Sequence, residues 1–124
     1  MSILGIGVDM VALARIQAVC ERRAEQFARR VFTETERAYF EPEPDIPRIA
    51  ARFAVKEAVS KALGTGIGKV GWQDIETTRS AAGAPQVQLY GRAAELAREK
   101  GVQTVHCSIS HERTMAVAMI ILEG

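Results

Sequence analysis

The sequence predicts an α+β domain in which one antiparallel sheet of three to five strands packs against a long core helix. Three observations favour this class. An apolar helical segment extends from about Pro47 to Leu63, short β-branched segments lie near both ends of the chain, and turn residues join the later strands in pairs. With 124 residues, the chain is long enough for a hydrophobic core. We therefore expect a single domain over residues 1–124.

The composition is that of an ordinary globular chain, with 48% hydrophobic and 25% charged residues. The formal net charge of +1 gives no reason to expect nucleic-acid binding. Cys20 and Cys107 are too few for a disulfide framework or a zinc cluster, so we expect reduced thiols. The N-terminus does not resemble a signal peptide, and no stretch approaches the about 20 apolar residues that span a bilayer. We expect a cytoplasmic protein without a membrane partner.

The first predicted element is a short buried strand from Ile3 to Val8. Gly5 and Gly7 within it indicate that another backbone or a ligand approaches closely. Asp9 follows at the expected end of the strand. It either caps the next helix or faces the same slot as Glu57 of the core helix.

A long helical segment follows from about Val11 to Arg30, with a break expected near Ala24. Arg15, Arg22 and Arg29 recur every seven residues and therefore lie nearly on one face. Arginine side chains grip carboxylates and phosphates through paired donors. That face is either a solvated helix surface or a docking surface for an acidic macromolecule.

The region before the core helix combines a helix start and a loop. Thr33 and Glu36 form a capping box, which predicts a short helix ending near Phe40. Three prolines and three acids in residues 41–47 then break regular structure. We expect this segment to be a mobile loop.

Four charged residues interrupt the apolar surface of the core helix: Arg52, Lys56, Glu57 and Lys61. Charged groups are rarely buried unless they are paired or ligated. Glu57 and Lys61 are one turn apart, on the side where Ala50 and Ala54 leave space. They form either an ordinary ion pair at the helix edge or part of a functional site.

A glycine-rich loop, Gly64-Thr65-Gly66-Ile67-Gly68, comes directly after the core helix. Gly64 suits the C-terminal cap of that helix. Because the loop follows a helix and lacks the Gly-Lys-Ser/Thr signature, it is not a Walker-type phosphate loop. It is either a plain helix-to-strand turn or a nest of backbone N–H groups that binds an anion.

The segment after this loop predicts a β-hairpin and a helix. Strands are expected from Trp72 to Thr78 and from Gln86 to Tyr90, joined by a turn at residues 83–85. An amphipathic helix is expected from Arg92 to Lys100, with Gly101 as its cap.

Two further strands close the chain. Val102 to Ser110 alternates as a half-buried strand does, and Arg113 to Leu122 is strongly apolar. The turn between them is expected at residues 110–112, so that His111 lies at the tip. A lone histidine in such a turn is most often only a surface residue.

Taken in order, four segments resemble the 4′-phosphopantetheinyl transferase superfamily, in its small single-domain branch of holo-acyl-carrier-protein synthases. The segments are GIGVDMVALARI, FTETE, RFAVKEAVSKALGTGIG and SISHERTMAVA. The resemblance runs nearly end to end and implies the fold of that family. It also implies transfer of 4′-phosphopantetheine from coenzyme A to a serine of apo-acyl carrier protein, with magnesium as cofactor. Adenosine 3′,5′-bisphosphate would be released, and the pathway would be fatty acid biosynthesis.

The same resemblance implies roles for individual residues, and three of them are expected to be catalytic. Asp9 and Glu57 match the magnesium ligands, and Glu57 is also a candidate base. Lys61 matches a lysine near the pyrophosphate that can protonate the leaving phosphate. The positions that match coenzyme-binding residues are Arg52, Lys56, Gly64, Thr65, Gly66, Ser110 and His111. The positions that match the basic helix receiving the acidic carrier protein are Arg15 and Arg22.

The resemblance further implies a homotrimer with active sites between subunits. The role of Glu112 stays open, as does the choice between Glu57 and metal-bound water as the base. From the residues alone two other functions remain. One is a non-catalytic module that binds an acidic protein or RNA through the arginine helix, although only 6% aromatic residues disfavours RNA. The other is a different nucleotide phosphotransferase or hydrolase with two carboxylates.

Overall fold

The computed structural model describes residues 1–40 and 44–124 of the chain. The predicted loop at residues 41–47 lies partly outside this described part. In chain order the elements are β1 (Ile3–Ala12), α1 (Leu13–Val31), α2 (Glu34–Ala38), α3 (Ile46–Ala62), a 3-10 turn (Trp72–Asp74), β2 (Ile75–Arg79), β3 (Pro85–Leu89), α4 (Gly91–Lys100), β4 (Thr104–His111) and β5 (Met115–Glu123). The α+β class expected from the sequence is confirmed.

The strands form two antiparallel sheets rather than one. The larger sheet has the order β1-β5-β4, and the β2-β3 hairpin forms a separate pair. Helix α3 packs on the inner face of the larger sheet, where alternate residues of β5 are fully buried: Ala116, Ala118, Ile120 and Leu122. Within residues 1–40 and 44–124, no helix is long and apolar enough to cross a membrane.

Strand β1 differs from its prediction in length and in burial. Its pairing with β5 continues to the Ala12–Met115 pair, so Asp9 lies inside the strand. The N-cap of α1 is Ala12, and the alternative that Asp9 caps this helix is therefore wrong. The strand is not buried on both faces, because its outer face leaves Ile6 and Val8 exposed to more than half of their surface.

Helix α3 is shifted by one residue from the predicted range. Asp45 caps its start by accepting a hydrogen bond from the Arg48 backbone N–H at 3.2 Å. Gly64 follows the C-cap residue with φ of 81°, a left-handed conformation that favours glycine. Ala50 and Ala54 are fully buried, so protein atoms fill the space that these small residues were expected to leave open.

A buried ion pair ties α3 to α2. Lys56 and Glu36 have fully buried side chains, and Lys56 Nζ lies 2.7 Å from Glu36 Oε1. The ammonium also donates to the carbonyl oxygens of Trp72 and Ile75. Glu36 accepts further hydrogen bonds from the backbone N–H groups of Thr33 at 3.0 Å and Thr77 at 2.9 Å. The predicted capping box is thus confirmed, and its glutamate joins two helices and β2.

Two element boundaries differ from the sequence prediction because local hydrogen bonds form turns there. The expected strand at Trp72 begins as a 3-10 turn, since Gly71 N–H donates to the Asp74 carboxylate at 3.0 Å. The last turn lies at residues 112–114, because Glu112 N–H donates to Met115 carbonyl oxygen at 2.9 Å. Helix α1 kinks at Arg23, one residue from the expected break.

Replacing Lys56 with methionine should lower the free energy of unfolding by about 3–5 kcal/mol, because it leaves the Glu36 carboxylate buried without its cation. Urea denaturation followed by the fluorescence of Trp72 measures this change. A Lys56→Met, Glu36→Gln double variant should recover part of the loss. Arg92→Met, at an exposed ion pair with Glu95, is the control and should change stability by less than about 1 kcal/mol. Wild-type stability of Lys56→Met would show that the pair has no structural role.

Candidate active site

Asp9 and Lys61 meet at the contact between β1 and α3. Lys61 Nζ lies 3.0 Å from Asp9 Oδ1 and donates to the Val8 carbonyl oxygen at 3.1 Å. The Asp9 side chain is only 16% exposed, whereas that of Lys61 is 51% exposed. The salt bridge of Lys61 is therefore with Asp9, across 52 residues of sequence, and not with Glu57 one turn earlier.

Glu57 completes this cluster. Burial raises the pKa of its carboxyl group, and the charge of Asp9 raises it further, while Lys61 and Arg15 act in the opposite direction. Asp9 thus faces the same region as Glu57, which was one of the two alternatives left open by the sequence. Two carboxylates and two cations from β1, α1 and α3 converge here.

Glycines in β1 bring these elements together. A Cβ atom at Gly7 would overlap the carbonyl oxygen of Ala58, and one at Gly5 would overlap that of Ala62. The sequence expectation of a close backbone approach at both glycines is therefore confirmed, and the approaching backbone is that of α3.

The donor set of Asp9 and Glu57 fits a magnesium ion that takes most of its ligands from elsewhere. Magnesium in proteins is commonly held by one or two carboxylates together with water and substrate phosphates. Within the described residues no group of three or more His, Cys, Asp or Glu side chains is placed to hold a metal. The raised pKa of Glu57 arises partly from repulsion by Asp9, and a divalent cation between the two would relieve this repulsion.

A cationic cavity of about 560 Å³ lies near the start of α3. It is lined by Asp45, Pro47, Arg48, Ala51, Arg52, Thr77, Arg79, Gly83, Pro85, Ile109 and His111. Arg52 is 2% exposed, and its guanidinium lies 4.7 Å from the ring centroid of Tyr39. Burial lowers the pKa of Arg52, and the charge of Arg79 lowers it further. Arg48 pairs with Asp45 at 3.3 Å, so three arginines and one acid line the cavity.

Two residues that line this cavity each have a buried polar atom that lacks a hydrogen-bond partner among residues 1–40 and 44–124. These atoms are Arg52 Nε and Thr77 Oγ1. A buried donor without a partner is costly, and an anionic oxygen would satisfy it. The cavity is therefore suited to an anionic ligand, and its lining includes Arg52 and His111, two positions for which the resemblance implies coenzyme binding.

Sequence reasoning missed three residues of this cavity: Arg48, Thr77 and Arg79. Arg48 carries a detectable signal, because it lies one helical turn before Arg52 on the same face. Thr77 and Arg79 are on β2, and nothing in their local sequence connects them to α3. Only the packing of the hairpin against α3 places them there.

Of the two alternatives left open for the glycine-rich loop, the anion nest does not describe its first three N–H groups. Gly64 donates to the Lys61 carbonyl oxygen at 3.0 Å, and Thr65 and Gly66 both donate to the Ser60 carbonyl oxygen at 3.0 and 3.2 Å. These groups close the end of α3 and are not free for a ligand. The plain-turn alternative describes their hydrogen bonding.

Two other residues expected to bind the coenzyme lie apart from this cavity. All three ammonium donors of Lys56 are used by Glu36 and by two carbonyl groups, so its observed contacts are structural. Ser110 pairs with Val117 on the outer face of the sheet, whereas His111 points to the inner face, since neighbouring strand residues alternate. A single chain therefore does not bring Ser110 and His111 into one pocket.

The arginine stripe of α1 does not continue as a straight line. The kink at Arg23 separates Arg15 and Arg22 from the second half of the helix, where Arg29 pairs with Glu25 at 3.2 Å. The single face expected for all three arginines is therefore wrong beyond the kink. Arg30, rather than Arg29, shares a groove with Arg15.

This groove of about 260 Å³ has an aromatic floor. The rings of Phe53 and Trp72 stack with centroids 5.1 Å apart, and the Arg15 guanidinium lies 5.4 Å from the Phe53 centroid. Phe53 is one turn before Glu57 on α3. An apolar groove edged by arginines thus adjoins the acidic cluster, and Trp72 is a residue that the sequence reading did not assign to the site.

Comparison with known proteins identifies related chains. A family model described as the 4′-phosphopantetheinyl transferase superfamily matches residues 5–118. A holo-acyl-carrier-protein synthase of Serratia proteamaculans is 45% identical over the full length of both chains. The crystal structure of the Neisseria meningitidis holo-acyl-carrier-protein synthase superposes with a TM-score of 0.90 at 34% identity, covering 99% of this chain and 100% of that one. The crystal structure of the Helicobacter pylori holo-acyl-carrier-protein synthase in complex with coenzyme A superposes with a TM-score of 0.85 at 33% identity, covering 95% of this chain and 99% of that one.

The raised pKa of Glu57 predicts that Glu57→Gln stabilises the cation-free fold at neutral pH. An acid with a raised folded-state pKa contributes its full stability only at low pH, and this contribution is lost as the pH rises through the folded-state pKa. Glutamine does not ionise, so Glu57→Gln does not lose this stability as the pH rises. Thermal unfolding in EDTA should give a higher Tm than wild type at pH 7, and the difference should vanish near about pH 4. Glu95→Gln on α4 is the control and should show no such gain. A lower Tm for Glu57→Gln at pH 7 would contradict the electrostatic picture.

Proposed function

The chain belongs to the 4′-phosphopantetheinyl transferase superfamily, and from this premise we propose that it converts an apo-acyl carrier protein to the holo form. The substrate would be coenzyme A, and adenosine 3′,5′-bisphosphate would be the second product. The observation that carries the proposal is the convergence of Asp9, Glu57 and Lys61 between β1 and α3. We further propose that the protein works in the cytoplasm, in fatty acid biosynthesis.

In the proposed reaction, the carrier serine hydroxyl attacks the phosphorus atom that bears the pantetheine arm. The bond from this phosphorus to the bridging oxygen breaks, and the electron pair leaves with adenosine 3′,5′-bisphosphate. Glu57 takes the serine proton, either directly or through water. Lys61 donates a proton to the leaving phosphate or neutralises its charge. Phosphoryl transfer depends mainly on such positioning and charge stabilisation.

Asp9 and Glu57 would hold the magnesium ion, which supplies charge neutralisation at the pyrophosphate when it is bound. Lys61 keeps the Asp9 carboxylate oriented through its 3.0 Å ion pair. The partial burial of both acids limits their hydration, so their charges would act more strongly on a bound cation.

We propose that the cationic cavity receives the nucleotide end of coenzyme A. Arg48, Arg52 and Arg79 would contact its phosphates, with His111 at the same cavity. Arg52 Nε offers a buried donor that the protein leaves without a partner in its described part. Lys56 would support this site only indirectly, through its contacts at Trp72 and Ile75. Gly64, Thr65 and Gly66 would shape the turn beside Lys61 without donating to the ligand.

We propose a homotrimer assembled through the outer face of the larger sheet. On this face β1 and β5 leave four large apolar side chains exposed: Ile6, Val8, Met10 and Met119. A contiguous apolar sheet face of this kind favours association with another protein surface. The proposed number of three subunits comes from the resemblance to the family. Sedimentation equilibrium measures the number of subunits directly. Ser110 lies on the same face, where it would approach a neighbouring copy.

The transfer itself is tested with coenzyme A, magnesium and an apo-acyl carrier protein, by measuring the mass of the carrier. We expect the mass to increase by one phosphopantetheine group, and the increase to require magnesium. Glu57→Gln should slow transfer by about 10²-fold or more, because the serine proton loses its acceptor. Glu95→Gln should transfer at the wild-type rate. An unchanged carrier mass with wild-type protein would favour a non-catalytic binding module, and full turnover by Glu57→Gln would remove Glu57 from the chemistry.

The arginines of α1 are proposed to receive the acidic carrier protein. Exchanging Arg15 and Arg22 for glutamate should raise KM for the carrier by about tenfold or more, while KM for coenzyme A changes little. The effect should weaken at high salt because the charges are exposed. Arg98→Glu on α4 serves as a charge-reversal control and should leave both constants unchanged. Equal increases in both KM values for the α1 variant would indicate a structural role instead.

A further inference from the structure

Strand β1 and helix α3 are in direct backbone contact at Gly7. A Cβ atom at this position would overlap the Ala58 carbonyl oxygen, and it would lie 2.8 Å from the carbonyl carbon and 3.0 Å from the backbone nitrogen of Ala62. Gly7 is not among the glycines with positive φ. The conformation therefore permits any residue, and glycine is required here by space alone.

This contact lies between the two acids of the active site. Alternate residues of a strand share one face, so Gly7 and Asp9 both face α3. On the helix, Glu57 directly precedes Ala58. Of the two contacts between a β1 glycine and the backbone of α3, Gly7–Ala58 is therefore the one nearer in sequence to both Asp9 and Glu57.

We propose that Gly7 is a positioning residue that sets the separation of the Asp9 and Glu57 carboxylates, and thereby the size of the cation that they hold. The inference rests on the proposed function for the presence of a cation. A methyl group at residue 7 would meet backbone atoms, which cannot rotate away as a flexible side chain does. Strand and helix must then separate by about 1 Å or more, since non-bonded heavy atoms normally stay about 3.5–4.0 Å apart.

A wider carboxylate pair favours a larger ion. Magnesium requires oxygen ligands at about 2.0–2.1 Å in near-octahedral geometry, whereas calcium accepts about 2.3–2.6 Å in flexible geometry. On this proposal, the separation set by Gly7 suits the smaller ion. Gly7→Ala therefore shifts the preference from magnesium towards calcium, which a general loss of stability does not do.

The test is isothermal titration calorimetry of magnesium and of calcium into protein saturated with coenzyme A. For Gly7→Ala, the ratio of the magnesium Kd to the calcium Kd should rise about tenfold or more above that of wild type. Thermal unfolding of the same samples records whether the variant is folded. An unchanged ratio in folded Gly7→Ala overturns the proposal.

Two further variants make the experiment specific. Val11 is a buried residue on the inner face of β1. Val11→Ala removes side-chain volume and does not push the helix away. It should therefore lower stability without changing the ratio of the magnesium Kd to the calcium Kd. Gly5→Ala forces the strand away from Ala62, one helical turn further along, and should change the ratio in the same direction by a smaller factor. If Gly7→Ala does not fold, an unchanged ratio in Gly5→Ala overturns the proposal. The mass assay with wild-type protein tests the transfer function separately, so the two failures are distinguishable.

Discussion

The direct contact of helix α3 with the glycine backbone of β1 is the constraint on which the rest of the site depends. β1 is fixed in register by its hydrogen bonds to β5, and α3 is buried along most of its length. Asp9 and Lys61, separated by 52 residues in sequence, are therefore carried by two rigid elements and meet at 3.0 Å. Functional groups on such elements are placed more exactly than groups on loops.

The two polar sides of α3 have opposite electrostatic character. On one side the Lys56 ammonium is fully satisfied by Glu36 and two carbonyl oxygens, which makes this side a rigid anchor. On the other side, Glu57 is held near a like charge and is partly desolvated, so that its ionised form is disfavoured. Satisfied polar networks stabilise a fold, whereas incompletely compensated groups mark places where a ligand binds. The anchoring Lys56 and the incompletely compensated Glu57 are thus adjacent in sequence but lie on different sides of the helix.

The features that were predictable from sequence are those controlled by short-range rules. The limits of α3, the capping box of Thr33, the second hairpin and the break in α1 follow from local propensity and spacing. The partner of Lys56 was not predictable, because Glu36 is recruited from another helix only after packing. The same holds for Thr77 and Arg79 of the cationic cavity. The separation of Ser110 from His111 within one chain was not predictable either, because the resemblance names both positions and does not say which face of the sheet each one occupies.

That alternation in β4 gives the strongest physical reason for linking the proposed assembly to the proposed chemistry. His111 points into the cationic cavity of its own chain, while Ser110 lies on the apolar outer face next to Val117. If the cavity of about 560 Å³ receives coenzyme A as proposed, so long a ligand would extend beyond the walls of one chain. If copies pack through the outer face, the same strand contributes to the ligand cavity on one side and to the subunit interface on the other. Ordering the interface would then also order the strand that carries His111, so that subunit association and coenzyme binding would be coupled through β4.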